Sequence, residues 1–386
     1  MEFIECKLSE LGEIVGGGTP STKNASNYGG KISWITPKDL TNVNTRYINQ
    51  GERNITEEGF KSSSTKILPI NSVLFSSRAP IGYIAINNNK EVCTNQGFKS
   101  IIPNEKINYM FLYYLLKFNK NKIESMGSGT TFKEVSGTVM KNIKVNIPKN
   151  VKDQMKIAKV LSNLDDKIEL NTQTNDNLYE MMKIKFEDWI TNLNKYEVSS
   201  LSKIAKYTNG LTMQKFRPKD NEESLPVIKI KEMNDGITEN TERCSTNIKD
   251  EVIINNGDVL FAWSGTLCMS IWGKGKAGLN QHIFKVTSDK YPKWFYYFWT
   301  LKHLNRFKMI AAGKATTMGH IKRGELDISE VLIPKNKELQ EMHKIMQPLF
   351  NKYINNLIQN ETLTQLRDTL LPKLMNGEID LDKIKI

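Results

Sequence analysis

Arginine is scarce in this chain of 386 residues: 8 arginines stand against 46 lysines. Cysteine is scarce too, and Cys6, Cys93, Cys244 and Cys268 lie far apart. That spacing excludes a disulfide framework and a cysteine-based zinc site. The 4 histidines do not reach metal-ligand spacing either. No run of roughly 18 apolar residues exists, so no bilayer-spanning helix is expected. The opening MEFIECKLSE lacks the apolar core of a signal peptide, which predicts a cytoplasmic protein with no membrane partner. No phosphate-cradling G-x-x-x-x-G-K-[ST] loop is present, "GKGKAG" at Gly273–Gly278 being only a poor shadow of one. No nucleophile–base pair or metal cluster stands out. A non-enzymatic chain, without catalytic residue, metal or cofactor of its own, is the expectation.

Acidic charge is the other deficit. Lys and Arg number 54 against 42 Asp and Glu, a net charge of +12. Residues 7–148 carry 18 basic and 10 acidic side chains, and residues 194–336 carry 22 and 15. Residues 149–193 carry 7 and 8, and residues 337–386 carry 7 of each. Lysine over-use by an AT-rich genome would spread everywhere. Concentration in two segments instead points to two polyanion-binding domains on a near-neutral frame.

Those segments repeat. "SVLFSS" (Ser72–Ser77) matches "DVLFAW" (Asp258–Trp263), "TNQGF" (Thr94–Phe98) matches "LNQHI" (Leu279–Ile283), and "GSGTT" (Gly127–Thr131) matches "GKATT" (Gly313–Thr317). Ile147-Pro148 with Gln154 matches Ile333-Pro334 with Gln340, and Leu8 opens a stretch echoed from Leu201. Each match is weak, but they share nearly one offset, about 186 residues, which indicates a duplicated domain plus linker. Alternating runs, turn residues and one aromatic helical stretch per repeat predict compact α/β or α+β domains over 1–148 and 194–336.

Long periodic segments follow each domain, at 149–193 and 337–386. Ile157, Leu161, Leu164, Ile168, Leu178, Met182 and Trp189 form one stripe, interrupted by Asn171 and Asn175, and predict a helix of about 40 residues, roughly 60 Å. The asparagines suit a register-fixing role or a solvated face. A second stripe runs through Met342, Met346, Leu349, Tyr353, Leu357, Leu363, Leu366 and Leu370, where Pro348 predicts a kink or restart. Both stripes exceed a two-helix seam, so the domains or another protein should cover them. Antiparallel packing of these helices as a coiled-coil spacer would make the molecule pseudo-twofold, suited to a duplex target with two different half-sites.

Here a family resemblance enters. "GGGTPSTKNASNYGGKISWITPKDL" (Gly16–Leu40) and "NGLTMQKFRP…LPVIKIKEM" (Asn209–Met233) resemble the openings of target recognition domains in specificity (S) subunits of type I restriction-modification systems. Ile147–Asn171 resembles their central helical region, and Leu363–Asp380 their C-terminal signature. The resemblance covers essentially the whole chain in the right order. It implies a subunit that reads double-stranded DNA and on which two methyltransferase (M) subunits assemble, with restriction-translocase (R) subunits joining through them. S-adenosylmethionine would belong to M, and ATP with Mg²⁺ to R. The absence of an Asn-Pro-Pro-aromatic methyltransferase motif agrees. An S-type subunit of a fused methyltransferase-nuclease and a duplicated RNA- or DNA-binding scaffold are the rival readings.

Lysine is a flexible point charge for phosphates, whereas the arginine fork matches guanine O6 and N7. Arg78, flanked by Ser76 and Ser77, is therefore the leading base-reader of the first domain, against a loop ion pair as the alternative. Arg217, Arg243 and Arg323 are weaker candidates. Gly16, Gly17 and Gly18 with Thr19, Ser21, Thr22 and Lys23 suit phosphate positioning, or a plain turn. Trp34, Thr36 and Lys38 are candidates for the DNA face, although a tryptophan there suits the core. Asn95-Gln96 and Asn280-Gln281 match adenine's bidentate edge, but their recurrence argues for a shared structural or backbone role. Thr130-Thr131 and Thr316-Thr317 suit a common phosphate contact. Thr212, Gln214, Lys215, Lys229, Lys231, Ser264 and Thr266 complete the expected contacts of the second domain. The aromatic runs Tyr109–Tyr114 and Trp294–Trp299 suit core packing better than base stacking. Residues that specify sequence are expected where the repeats differ.

Overall fold

The computed structural model describes residues 1–42, 45–129, 133–313, 319–379 and 381. The chain forms two compact units, Met1–Glu169 with Leu363–Ile386, and Leu170–Thr362.

The first unit contains strands β1 (Phe3–Lys7), β2 (Gly12–Gly16), β3 (Tyr28–Ile35), β4 (Tyr47–Ile48), β5 (Arg53–Ile55), β6 (Val73–Ser77), β7 (Ile81–Asn87), β8 (Val92–Thr94), β9 (Lys99–Pro103) and β10 (Lys144–Pro148). They make a five-stranded sheet β2-β9-β6-β7-β4, a three-stranded sheet β5-β3-β8 and the antiparallel pair β1-β10. β6 is buried along its whole length, as the apolar run "VLF" between turn residues requires of a central strand.

The second unit contains β11 (Tyr196–Ser200), β12 (Lys206–Asn209), β13 (Ser224–Ile228), β14 (Arg243–Ser245), β15 (Ile253–Ile254), β16 (Val259–Ala262), β17 (Cys268–Ile271), β18 (Ala277–Leu279), β19 (Ile283–Thr287) and β20 (Glu330–Pro334). Sheets β12-β19-β16-β17, β14-β13-β18-β15 and β11-β20 repeat the first unit's strand order, except that β15 is added at one edge and the edge strand β4 has no counterpart. The sequence echoes thus mark a duplicated fold.

Both aromatic runs lie in helices. In Tyr109–Phe118 all of Phe111–Leu116 are buried, and in Lys293–Ala312 all of Trp294–Thr300 are buried. Helical turns that are apolar all round belong inside a domain, so these rings are core. Cys93 is buried as well, which pushes its thiol up to about 11 and leaves it unreactive.

Two long helices, Val151–Thr191 and Asn336–Met375, contribute one stretch to each unit. In the first unit Ile157 and Leu161 share a core with Leu371, Leu374 and the aromatic helix; in the second, Met182 and Phe186 share one with Met346, Phe350 and Trp294. Each domain therefore covers one stretch of both apolar stripes, whereas Leu366 in the second stripe stays exposed. Within the second unit the helices run antiparallel. Asn171 donates to Gln359 at 2.8 Å and Asn360 at 2.9 Å, and four residues on Asn175 accepts from Asn356 at 2.9 Å. Pro348 does not restart the second helix, which is continuous from Asn336 to Met375. A single missing amide, at Pro348, is outweighed by the burial of Met346 and Phe350 on either side.

Candidate nucleic-acid interface

A glycine fixes the same backbone crossing in each domain. A Cβ on Gly17 would stand 2.1 Å from the Asn95 carbonyl oxygen and 2.2 Å from that of Thr94. On Gly210 it would stand 2.3 Å from Asn280 O and 2.2 Å from Leu279 O. Beyond each glycine the next amide is engaged: Gly18 N donates to Thr94 O and Leu211 N to Leu279 O, both at 2.9 Å. The Thr19 hydroxyl then donates to Gln96 Oε1, and the Thr212 hydroxyl to Gln281 Oε1. Asn95 and Asn280 hold the turn from below, their Oδ1 atoms accepting from Gly97 N at 2.9 Å and His282 N at 3.3 Å.

A second strand of the frame also repeats. The Ser77 carbonyl accepts from Val135 N at 3.0 Å, and the Trp263 carbonyl from Ile321 N at 3.2 Å. Bridges Arg78↔Glu134 and Ser264↔His320 follow from it. What the frame carries differs between the domains. The first holds an ionic set: Glu134 pairs with Lys99 at 3.0 Å and with Arg78 at 3.6 Å, and Lys99 reaches Ser77 Oγ at 3.4 Å. The second holds an aromatic set around Trp263. Its ring stacks on Phe284 at 5.6 Å and neighbours His282 at 6.1 Å and His320 at 6.2 Å. Its Nε1 donates to Asn209 at 3.0 Å.

Several expected contacts are corrected by burial. Ser76 and Ser77 are fully buried, their hydroxyls donating to Pro80 O at 2.8 Å and Gly97 O at 3.2 Å. Ser264 is buried too. Trp34 belongs to the core, its indole N–H donating to Gly18 O at 2.9 Å. The Thr36 hydroxyl is spent on Asp39 at 2.7 Å. Gly17 and Gly18 serve the crossing rather than a phosphate, because no side chain fits at the first and the second amide is already bonded. Asn95 and Asn280 are turn braces, their carbonyl oxygens already used. Arg323 donates to Tyr207 O and covers the Phe284 ring at 5.8 Å, and Arg243 is tied to Ser224 at 2.7 Å.

The remaining candidates stand at the surface. Thr19, Ser21, Thr22, Lys23, Lys38 and Gln96 are exposed in the first domain, Lys38 with Glu52 at 3.0 Å. Gln214, Lys215, Arg217, Lys231 and Thr266 are exposed in the second. Arg78, Thr212, Gln281 and Lys229 are half-buried, and Lys229 pairs with Glu242 at 2.6 Å. Thr130, Thr131, Thr316 and Thr317 lie outside the described residues.

Trp263, His282 and His320 stand at no metal-ligand spacing, so no motif singles them out in the sequence. Their signal was present as a mismatch: "NQH" replaces "NQG", and "FAW" replaces "FSS". Among the described residues no group of three His, Cys, Asp or Glu is placed to hold a metal, and no helix is long and apolar enough to cross a membrane.

Comparison with known proteins agrees with the duplicated architecture. The family described as "Type I restriction modification DNA specificity domain" matches twice, over residues 2–180 and 194–365. The chain is 32% identical, over an alignment 407 positions long, to the type I restriction enzyme MjaIX specificity subunit of Methanocaldococcus jannaschii, covering 98% of this chain and 94% of that one. It is 35% identical over 118 residues to the EcoR124I/EcoR124II specificity subunit of Escherichia coli, covering 28% of this chain and 27% of that one. The S subunit of the type I restriction-modification system from M. genitalium has the same fold, with a TM-score of 0.60 at 14% identity, covering 97% of this chain and 96% of that one. The chain belongs to the type I restriction-modification DNA specificity family.

Proposed function

We propose that this chain reads a bipartite, asymmetric duplex-DNA target, one half-site per recognition domain, and carries two methyltransferase subunits through which restriction subunits join. As a specificity subunit it is a DNA-recognition component of the complex and not a catalytic one. In this reading S-adenosylmethionine belongs to the methyltransferase partner, and ATP with Mg²⁺ to the restriction partner. One observation carries the bipartite claim. Two domains of the same strand order present the same threonine–glutamine frame with different side chains upon it. A common frame suits a common backbone contact, and differing side chains suit different base sequences. The exposed lysines around both frames suit phosphates, so affinity should fall steeply with salt.

Long-read methylome sequencing of a host with and without this chain tests the reading. A bipartite adenine-methylation motif should vanish on deletion, and an unchanged methylome would sink the proposal. The spacer role has its own test. Adding one helical turn, about 5.4 Å, to both long helices should change the preferred half-site separation. Copurification should bring down two methyltransferase chains per copy of this chain.

A further inference from the structure

Building on that reading, we propose that Trp263, His282 and His320 form the base-reading cluster of the second domain, and that the Arg78–Glu134 pair occupies the equivalent place in the first. The frame shared by both domains cannot itself distinguish two sequences. Discrimination has to come from side chains mounted on it, and these positions change chemistry between the domains. Ser77 corresponds to Trp263, Gly97 to His282 and Glu134 to His320, each fixed by equivalent backbone bonds. One step inward the chemistry is kept: Phe75 and Phe261 are both fully buried core rings. A purely structural role would favour that kind of match at the rim as well.

The local hydrogen bonds define what the cluster offers to DNA. Thr212 occupies Gln281 Oε1, so Gln281 meets His282 with its amide NH₂, at 3.2 Å between the two Nε2 atoms. His282 Nε2 must then accept, which places the ring proton on Nδ1. That Nδ1 is buried and has no partner among the described residues. An unpaired buried donor is costly, so a small rotation that hands it a base acceptor would be favourable. Trp263 spends its N–H on Asn209 and is backed by Phe284, leaving an apolar ring edge of the kind that meets a thymine methyl. His320, on the adjoining bridge, adds a polar edge beside it. The second half-site should therefore include an A·T pair read through its methyl. The first should include a guanine, read by Arg78 once it leaves its 3.6 Å pairing with Glu134.

The test uses the assembled complex of this chain with its methyltransferase, read out by methylome mapping of wild type, Trp263→Leu, His282→Asn, His320→Gln and Arg78→Gln. At least two of the three second-domain variants should relax the same half-site, with roughly tenfold more methylation at sites altered there. The other half-site and the spacer should stay as in wild type, and Arg78→Gln should alter only that other half-site. Retention of the wild-type motif by all three variants overturns the proposal, as does a change in the half-site that Arg78→Gln alters. A variant complex that assembles but methylates nothing is scored by duplex binding. Loss confined to duplexes with the intact second half-site supports the cluster, whereas equal loss on every sequence overturns it. Absence of any bipartite motif in wild type is a separate result, and would falsify the functional reading along with this one.

Discussion

Tyr114 donates its phenolic hydrogen to Asp165 at 2.6 Å inside the first unit, and Arg367 reaches the other oxygen of the same carboxylate at 2.7 Å. Burial first, and then the Asp165 charge, holds the Tyr114 hydroxyl far above its ordinary pKa, so it stays a donor. The carboxylate joins the aromatic helix to both long helices. Removing one member of a buried ionic set is costlier than never having had it, because its partners are left unpaired. Asp165→Ala should cost about 3–5 kcal/mol, and Tyr114→Phe about 1–2 kcal/mol, measured by denaturant unfolding. Equal and small losses for both would mean that water already solvates the site.

The glycine crossings give a sharper contrast. Gly17→Ala and Gly210→Ala each drive a methyl into carbonyl oxygens, and only backbone movement relieves the clash. Each should cost more than about 2 kcal/mol, as strained or overpacked sites do. Gly16, one residue before the first crossing, has open space at its Cβ, so Gly16→Ala should fall within about 0.5 kcal/mol of wild type. Thermal unfolding of the three variants decides it.

The duplication was legible because a fully buried strand such as β6 and its neighbours leave a short apolar signature at a fixed offset. The long helices were legible from their period. The matched Gln154 and Gln340 show where pattern misleads: Gln154 is buried and accepts from Asn108 N at 2.9 Å, whereas Gln340 is exposed. At the interface, residue type alone could not separate a surface serine from Ser76, because burial is set by strands far apart in sequence. Arg46 is a similar case. It is buried, with Asp166 and Glu169 as partners, and nothing local marks it as structural.

Asn175 and Asn356 bond to each other in the helical seam of the second unit, and Asn175 also donates to Tyr353 O at 3.1 Å. Both side chains are almost fully buried. Asn356→Leu leaves an amide without its partner and should cost about 1–3 kcal/mol. The double variant Asn175→Leu/Asn356→Leu should recover most of that loss while loosening helix register. Unfolding midpoints together with hydrogen exchange over 170–191 would show both effects. A double variant no more stable than the single one would argue against the amide pair as a register device.

Acid should weaken the second unit through His303. Burial is the main cause that holds its pKa below the usual histidine value, and its Nε2 lies 2.8 Å from Glu330 O. A folded pKa below the unfolded one means the unfolded chain binds protons more readily. The stability contributed is present above the unfolded value, about 6.5, and is lost as pH falls through the folded value. His303→Gln keeps a donor for Glu330 and removes the titration. The variant should unfold at a temperature that changes less between pH 7 and pH 5 than wild type, by calorimetry at roughly constant ionic strength.

Lysines and Arg78 should separate on salt and on sequence. Lys23 and Lys215 are exposed, four and three residues after the threonines of the two threonine–glutamine frames. A flexible point charge there acts on phosphate, so Lys23→Ala should weaken binding to all duplexes alike and flatten the plot of log affinity against log salt by about one unit. Arg78→Gln should instead lower affinity for the cognate duplex by about 1–3 kcal/mol and leave non-specific binding nearly unchanged. Fluorescence anisotropy with cognate and scrambled duplexes at several salt concentrations measures both. If Arg78→Gln changes the salt slope but not the ratio of cognate to scrambled affinity, Arg78 is a phosphate contact. Its 3.6 Å pairing with Glu134 would then be a resting place for a surface charge rather than a held-back base reader.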